Sequence, residues 1–470
     1  MRILFIQDNG YNESLGIISI SAVLKAGGHD CDILIASEEN NLLEKIKEYK
    51  PDMVAFSLMT GVHEWGIEFA RRLKEEMDVL TVFGGAHFTI FPETIEEDGV
   101  DVICAGEGEY PMLELADALE KGRDTTKIKN LWVKKGKKIY RNPVRDLIQD
   151  FDKLPMPDRD LYYKYKFIRD LPMKRFITGM GCPYNCTFCH NHLFKKIYEG
   201  KGKYVRKRSI ESVIKEIKYV KDNTPLKIVH FSDDTFVIDR DWLYGFLERY
   251  RKEINVPFTC NVRIDLVNDE MVRKMRQAKC IGITFGVESG DENIRNTIMK
   301  KNLKDKTIIE NSKIFKKYNI KILTSNIIGV PGETPESVYK TLEINRKIKV
   351  DFTRIHILLV WPKLEIAKIA QELGLLPKDF NIKNYRQQRR EPLLMAKYRN
   401  EFRNLCVFFN LMAKYPRLDF IFKRLMRLPN NWLFNQVRKY DIYEEARFYK
   451  LFNFNGLRYY YHTFKTVNKI

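Results

Sequence analysis

The sequence predicts an α/β protein in three parts: a doubly wound parallel-sheet domain over residues 1–125, a partial (β/α)6 barrel over 173–365, and a mainly helical region over 366–470. A hairpin-bearing linker, 126–172, is expected between the first two. Three observations carry this. Short β-rich runs alternate with helix-period runs through the first 120 residues, the alternation resumes at Lys174, and strand signals stop near residue 366. At 470 residues and 44% hydrophobic, the chain exceeds what one core usually serves.

In the first part the strand candidates are "RILFIQ", "DCDILIA", "DMVAFSL", "VLTVFGG" and "VDVICAG", with helix-period runs such as "EWGIEFARRLKEE" and "YPMLELADALEK" among them. Five strands joined this way predict a parallel sheet whose ligands bind at the strands' carboxyl ends. The loops there are "QDNGYNESLG", "SLMTG", "GGAHFT" and "AGEGE". Gly84, Gly85, Gly106 and Gly108 either admit a ligand to the backbone or simply make tight turns. Next, "WVKKGKKIYRN" reads as a hairpin around Gly136, and Pro155 and Pro157 interrupt regular structure in the segment after it.

The barrel strands are "KRFITG", "LKIVHFSDD", "FTCNVRI", "IGITFGVES", "KILTSNIIGVPGE" and "FTRIHILLV". Six units are too few for a closed eight-unit barrel, so an open one is expected, with its chemistry on the C-terminal rim. The helix "SIESVIKEIKYVKD" sets Ile210, Val213, Ile214, Ile217 and Val220 on one face, with Ser209 as its cap. Beyond residue 366 the chain is helical, basic and aromatic.

The net charge of +19 is unevenly spread. Residues 1–125 hold 10 basic and 25 acidic side chains, a net of −15, whereas residues 366–470 hold 21 and 8, a net of +13. A basic tail meets nucleic acid, anionic lipid or phosphorylated substrates, and charge alone does not choose among them. Eight cysteines, only three of them clustered, do not form a secreted disulfide framework, which points to the reducing cytoplasm. Neither a signal peptide nor an apolar run of the roughly 20 residues a membrane span needs is found.

The clustered cysteines are Cys182, Cys186 and Cys189 in "GCPYNCTFCHN", spaced C-x3-C-x2-C in the loop after the first barrel strand. Structural zinc takes four ligands, so a zinc reading needs His190 or His192 as the fourth. An iron–sulfur cube held by three thiolates keeps one iron open to a further ligand. The pattern resembles the radical S-adenosylmethionine (SAM) superfamily, in which three cysteines of this spacing hold a [4Fe–4S] cluster and SAM chelates the fourth iron. The resemblance implies SAM contacts at successive strand ends: Phe188 in the cluster loop, Asp233 and Asp234 for the SAM amino group, and Arg263 for its carboxylate. Glu288 would meet ribose hydroxyls or the methionine end, and Ile327 and Gly329 of "NIIGVPGET" would pack near adenine. For Asp233 and Asp234 the plain alternative is a pair of solvated loop carboxylates.

The first part resembles the flavodoxin-like, cobalamin-binding domain of one subclass of that superfamily, through "ESLGIISISAVLKAGGH", "FGGAHFTIFPE" and "AGEGE". That implies corrinoid contacts from Asn9, Gly10, Leu15, Gly16, Ser57, Leu58, Gly84, Gly85, His87, Gly106, Glu107 and Gly108. His87 either lines the corrin face or caps a loop. The D-x-H-x-x-G motif that gives cobalt a histidine is absent, so any corrinoid would have a lower face free of histidine. The implied activity is reductive cleavage of SAM to a 5′-deoxyadenosyl radical, hydrogen abstraction, and methylation of an unactivated carbon using cobalamin. A one-electron donor such as flavodoxin or ferredoxin is implied as partner. The aromatic, basic tail favours a hydrophobic or lipid-like substrate and membrane-surface contact over nucleic acid. Two alternatives stay open: a radical SAM enzyme without functional cobalamin that couples carbons, closes rings or inserts sulfur, and a non-catalytic iron–sulfur or zinc module that binds nucleic acid. No residue stands out as hydrogen or proton donor.

Overall fold

The computed structural model describes residues 1–10, 13–382, 394, 398–429 and 431–449. It has two compact units: residues 1–170 with 194–224, and residues 171–193 with the chain from 225 onward.

The sheet of the first unit has seven strands in the order β2-β1-β3-β4-β5-β6-β7. The parallel five are β1 (Arg2–Gln7), β2 (Asp30–Ile35), β3 (Met53–Ser57), β4 (Leu80–Gly84) and β5 (Val102–Cys104). Alternation splits their side chains between two cores. Ile3 and Phe5 of β1 enter one, with Ile33, Ala55 and Val82, while Leu4 and Ile6 enter the other, with Val54, Phe56 and Phe83. The hairpin expected in a linker instead extends this sheet as β6 (Leu131–Lys135) and β7 (Lys138–Arg141), antiparallel to its edge. Leu131 and Val133 are buried, and their apolar side chains need that edge. The segment after the hairpin is no linker either, since Leu161, Tyr162 and Ile168 join the core and Tyr162 Oη donates to Gln7 Oε1 at 2.5 Å.

Residues 194–224, expected in the barrel, cluster with the first unit. The helix Ile210–Asn223 starts where Ser209 Oγ accepts from the Ser212 amide at 3.0 Å. It buries Val213, Ile214, Ile217 and Val220 as the spacing predicts, and Glu216 with them, while Ile210 is half-buried. Glu216 Oε1 accepts from Arg159 Nη2 at 2.7 Å and from its Nε at 3.0 Å. Arg159, itself fully buried, also reaches Glu13, and Arg208 completes the network on Glu216. These pairs tie the excursion to the first unit.

The second unit holds six parallel strands in chain order: Met173–Phe176, Ile228–Phe231, Phe258–Asn261, Cys280–Glu288, Lys321–Ile328 and Phe352–Ile357. This is the expected open barrel. A helix not foreseen from the sequence, Arg240–Glu253, packs Leu243, Phe246, Leu247 and Tyr250 inward and is capped by Asp239. Past residue 365 the described chain is helical at Glu365–Glu372, Arg399–Lys414, Asp419–Leu425 and Trp432–Phe448. The expected helical tail over 383–393, 395–397 and 450–470 falls outside the described residues. Among the described helices none is long and apolar enough to cross a membrane.

Candidate active site

The cysteine loop leaves the first strand of the second unit and is fixed from several sides. The Cys189 amide donates to the Cys186 carbonyl at 3.1 Å, and His192 Nδ1 lies 3.2 Å from the same oxygen. Thr187 between them is buried: its amide donates to the Met299 carbonyl at 3.1 Å and its hydroxyl to the Ile298 carbonyl at 2.7 Å. Phe188, like Leu193, Ile298, Ile327 and Trp361, packs against a buried core that includes Ile294, Met299 and Val330. Tyr184 lies beneath the Arg263 guanidinium, 3.7 Å from carbon to ring centroid.

All three cysteines line an open cavity at the strands' carboxyl ends, together with Phe188, Asp233, Asp234, Arg263 and Glu288. The sequence therefore placed eight of its ten cluster and SAM candidates on one site. Their chemistry divides more finely. Asp233 is buried and turned inward, accepting from the Thr178 amide at 3.0 Å and from its hydroxyl at 2.5 Å. Asp234 opens onto the cavity, and the walls that exclude water around it raise its carboxyl above the usual range, against a lowering bond from Asn191. Arg263 already serves the protein: Nε donates to both Asp265 oxygens at 2.9 and 3.1 Å, and Nη2 to the Lys301 carbonyl at 2.5 Å. It also stacks on Tyr184, and it lines the cavity.

Glu288 stands where the fourth strand breaks register with the fifth, a bulge between Gly286 and Glu288, and its φ is +62°. The bulge aims its carboxylate back over Gly286, where a Cβ would lie 1.7 Å from Glu288 Oε1. Lys301 Nζ pairs with that oxygen at 2.8 Å and lines the same cavity, so Lys301 is a cation the sequence reading missed. Its setting, "MKKNLK", gives no sign which lysine turns inward. From the fifth strand, Ser325 reaches the cavity. Ile327 packs on the same core as Phe188, and Gly329, at φ +79°, donates its amide to Glu333 Oε2 at 2.7 Å.

The donor set fits a multinuclear centre better than a single zinc. Sulfurs around one tetrahedral zinc stand about 3.8 Å apart, as bonds of about 2.3 Å require. Among the described residues, the ligand atoms of His29, Asp117 and Glu120 all lie within 4.8 Å of one another, and the three cysteines form no such group. His192 is turned to a carbonyl, and the His190 ring stacks on Trp361 with centroids 6.2 Å apart. Burial pushes the cysteine thiols up, Cys189 to about 11, so metal binding must displace protons.

The first unit carries a second, small cavity at the carboxyl ends of β1, β3, β4 and β5. Phe5, Ile17, Ile20, Phe56, Val82, Cys104 and Met112 make it apolar, and Ser57, Gly84, Gly85, Gly106 and Gly108 of the expected contacts line it. A Cβ on Gly85, at φ +91°, would lie 2.8 Å from the Leu58 amide nitrogen and carbonyl oxygen. One on Gly106, at φ +101°, would lie 1.8 Å from Tyr198 Oη. Glycine at both positions lets these loops pack directly against Leu58 and Tyr198 beside the apolar slot.

Other expected contacts lie outside this lining. Leu58 closes the adjoining loop, its amide donating to the Gly84 carbonyl at 3.0 Å. Glu107 accepts from the Ile148 amide at 2.8 Å and pairs with Arg206 at 2.7 Å, so it braces the loop. Asn9 Nδ2 donates to Asp8 at 2.6 Å, a Cβ on Gly10 would strike Phe167, Leu15 packs on the core, and Gly16 meets nothing. His87 neither lines the slot nor caps an exposed loop. It is fully buried, with Nδ1 3.0 Å from Thr60 Oγ1 and its ring stacked on His63 at 3.6 Å.

Residues 176–344 match the radical SAM superfamily and residues 1–116 match the B12 binding domain. An uncharacterized methyltransferase of Pyrococcus horikoshii is 30% identical over 371 residues, 77% of this chain and 79% of that protein. The anaerobic magnesium-protoporphyrin IX monomethyl ester cyclase of Rubrivivax gelatinosus is 26% identical over 419 residues, 82% of this chain and 72% of that protein. Among solved structures, the radical SAM methyltransferase TsrM of Kitasatospora setae, with cobalamin and a [4Fe–4S] cluster bound, shares the fold. Its TM-score is 0.67 at 16% identity, covering 80% of this chain and 75% of that one. Such matches set aside the reading of a non-catalytic module that binds nucleic acid. The cysteine loop, the glycine-lined slot and these relatives lead to one conclusion: the chain belongs to the radical SAM superfamily, as a cobalamin-dependent methyltransferase whose cofactors are a [4Fe–4S] cluster, SAM and cobalamin.

Proposed function

We propose that this enzyme methylates an unactivated carbon of a hydrophobic or lipid-like small molecule. The observation that carries the reading is that one chain pairs a three-cysteine loop on a large cavity with an apolar slot that has no histidine in its lining. When bound, the cofactors supply an electron, a hydrogen-abstracting adenosyl group and a methyl group.

The chain's own residues bind and orient. Cys182, Cys186 and Cys189 hold the cluster, and Arg263, stacked on Tyr184, keeps their loop in place. Asp234 takes the SAM ammonium. Arg263 and Lys301, both on the cavity wall, take its carboxylate. Glu288, held by Lys301, meets the ribose hydroxyls, and Phe188, Ile327 and Gly329 make the wall near adenine. Ser57, Gly84, Gly85, Gly106 and Gly108 admit the corrinoid. A flavodoxin or ferredoxin supplies electrons, and the basic C-terminal region meets a membrane surface, where a lipid-like substrate resides.

The test is anaerobic turnover of the reconstituted enzyme with SAM carrying a deuterated methyl group, a reductant, cobalamin and a lipid extract. Label on a carbon of a lipid is the expected result. Label confined to heteroatoms, or to water-soluble products, overturns the carbon or the lipid half of the reading. A second reading, ring closure, draws on the cyclase relative and predicts a product that loses hydrogen and gains no label.

A further inference from the structure

We propose that residues 415–432 form a docking surface for an anionic membrane. The inference rests on the membrane contact proposed above and not on the methylation chemistry. The helix Asp419–Leu425 is apolar on opposite sides. Phe422 packs inward, 5.8 Å centroid to centroid from Phe408, within a core that includes Phe402, Phe409, Met412 and Phe434. Phe420 and Ile421 point the other way, Phe420 being 60% exposed. Tyr415, Leu418, Leu428 and Trp432, the last 72% exposed, add to the same short stretch. That core covers Phe422 but leaves Phe420 and Ile421 uncovered, so the exposed apolar side chains are left for a partner.

Charge chooses the occupant. Arg417, Lys423, Arg424 and Arg427 are exposed among these apolar side chains. The stretch has one acidic residue, Asp419, which is spent on Arg346. Arg417, Arg424 and Arg427 form no ion pair among the described residues. Exposed aromatic and aliphatic side chains interleaved with unpaired guanidinium groups match the headgroup boundary of an anionic bilayer: rings enter the acyl edge while arginines meet lipid phosphates. A second copy of this chain would bring equally unpaired arginines against these.

The test is flotation of the full-length protein with vesicles of phosphatidylcholine alone and with phosphatidylglycerol added. The inference predicts flotation with the anionic vesicles only, lost at high salt. It predicts at least a tenfold drop in bound protein for F420S/I421S/W432S and a comparable drop for R417E/R424E, with unchanged far-ultraviolet circular dichroism. Three outcomes overturn it: no flotation of the wild type, equal flotation of the variants, or a dimer in sedimentation that the serine variant breaks without any vesicle binding. Reductive cleavage of SAM in vesicle-free buffer should be the same in all forms. Its presence without flotation would sink the docking surface and leave the enzyme reading intact.

Discussion

Glu288 holds a left-handed backbone conformation that costs a non-glycine residue on the order of 1–3 kcal/mol, and it faces the cavity because of it. The next loop is braced by another carboxylate. Glu333 accepts from the amides of Gly329 at 2.7 Å and Val330 at 3.3 Å. Burial raises its pKa from 4.5 to about 7 despite these bonds. Between those values the folded chain holds a proton that the unfolded chain has released, so this group's contribution to stability falls as pH rises through that window. Glu333→Gln is expected to flatten the pH dependence of the thermal midpoint between pH 5 and pH 7, leaving the parallel slope from Asp441, also raised to about 7. An unaltered slope contradicts the assignment. At this scale the sequence was legible where spacing encodes geometry, as in the three cysteines. It was not legible for Lys301, whose partner Glu288 lies 13 residues away on the fourth strand.

The helix Ile210–Asn223 shows what an element's sequence does and does not reveal. Its apolar stripe and its Ser209 cap were readable, whereas the burial of Glu216 beside that stripe was not. The partner of Glu216 was not, because Arg159 lies 57 residues away. Glu216→Ala leaves Arg159 buried with less compensation, so a loss of about 3–5 kcal/mol is expected in urea unfolding. The exposed neighbour Lys215 changed to Ala should stay within about 0.5 kcal/mol. Equal effects from both would remove the structural role of the network. The helix Arg240–Glu253 could have been found from the spacing of Leu243, Phe246, Leu247 and Tyr250. The β6–β7 hairpin was recognised as a hairpin, but local pattern does not say which sheet edge a hairpin joins.

For the whole molecule, the order of a doubly wound domain, an open barrel and a helical tail followed from periodicity, because each change of period marks a change of architecture. Where units divide did not follow, since residues 194–224 choose their unit through buried charges and not through pattern. The apolar slot of the first unit was half legible: the four glycines named from the sequence line it, whereas His87 is buried with Thr60 and His63. The central claim is that three cysteines hold an iron–sulfur cube on which SAM is cleaved. It is tested most directly by preparing the protein anaerobically, counting bound metal and sulfide, and measuring 5′-deoxyadenosine formed from SAM under a low-potential reductant. The account predicts about four iron and four sulfide per chain with formation of that product, both lost in Cys186→Ala. One zinc per chain and no 5′-deoxyadenosine would contradict it.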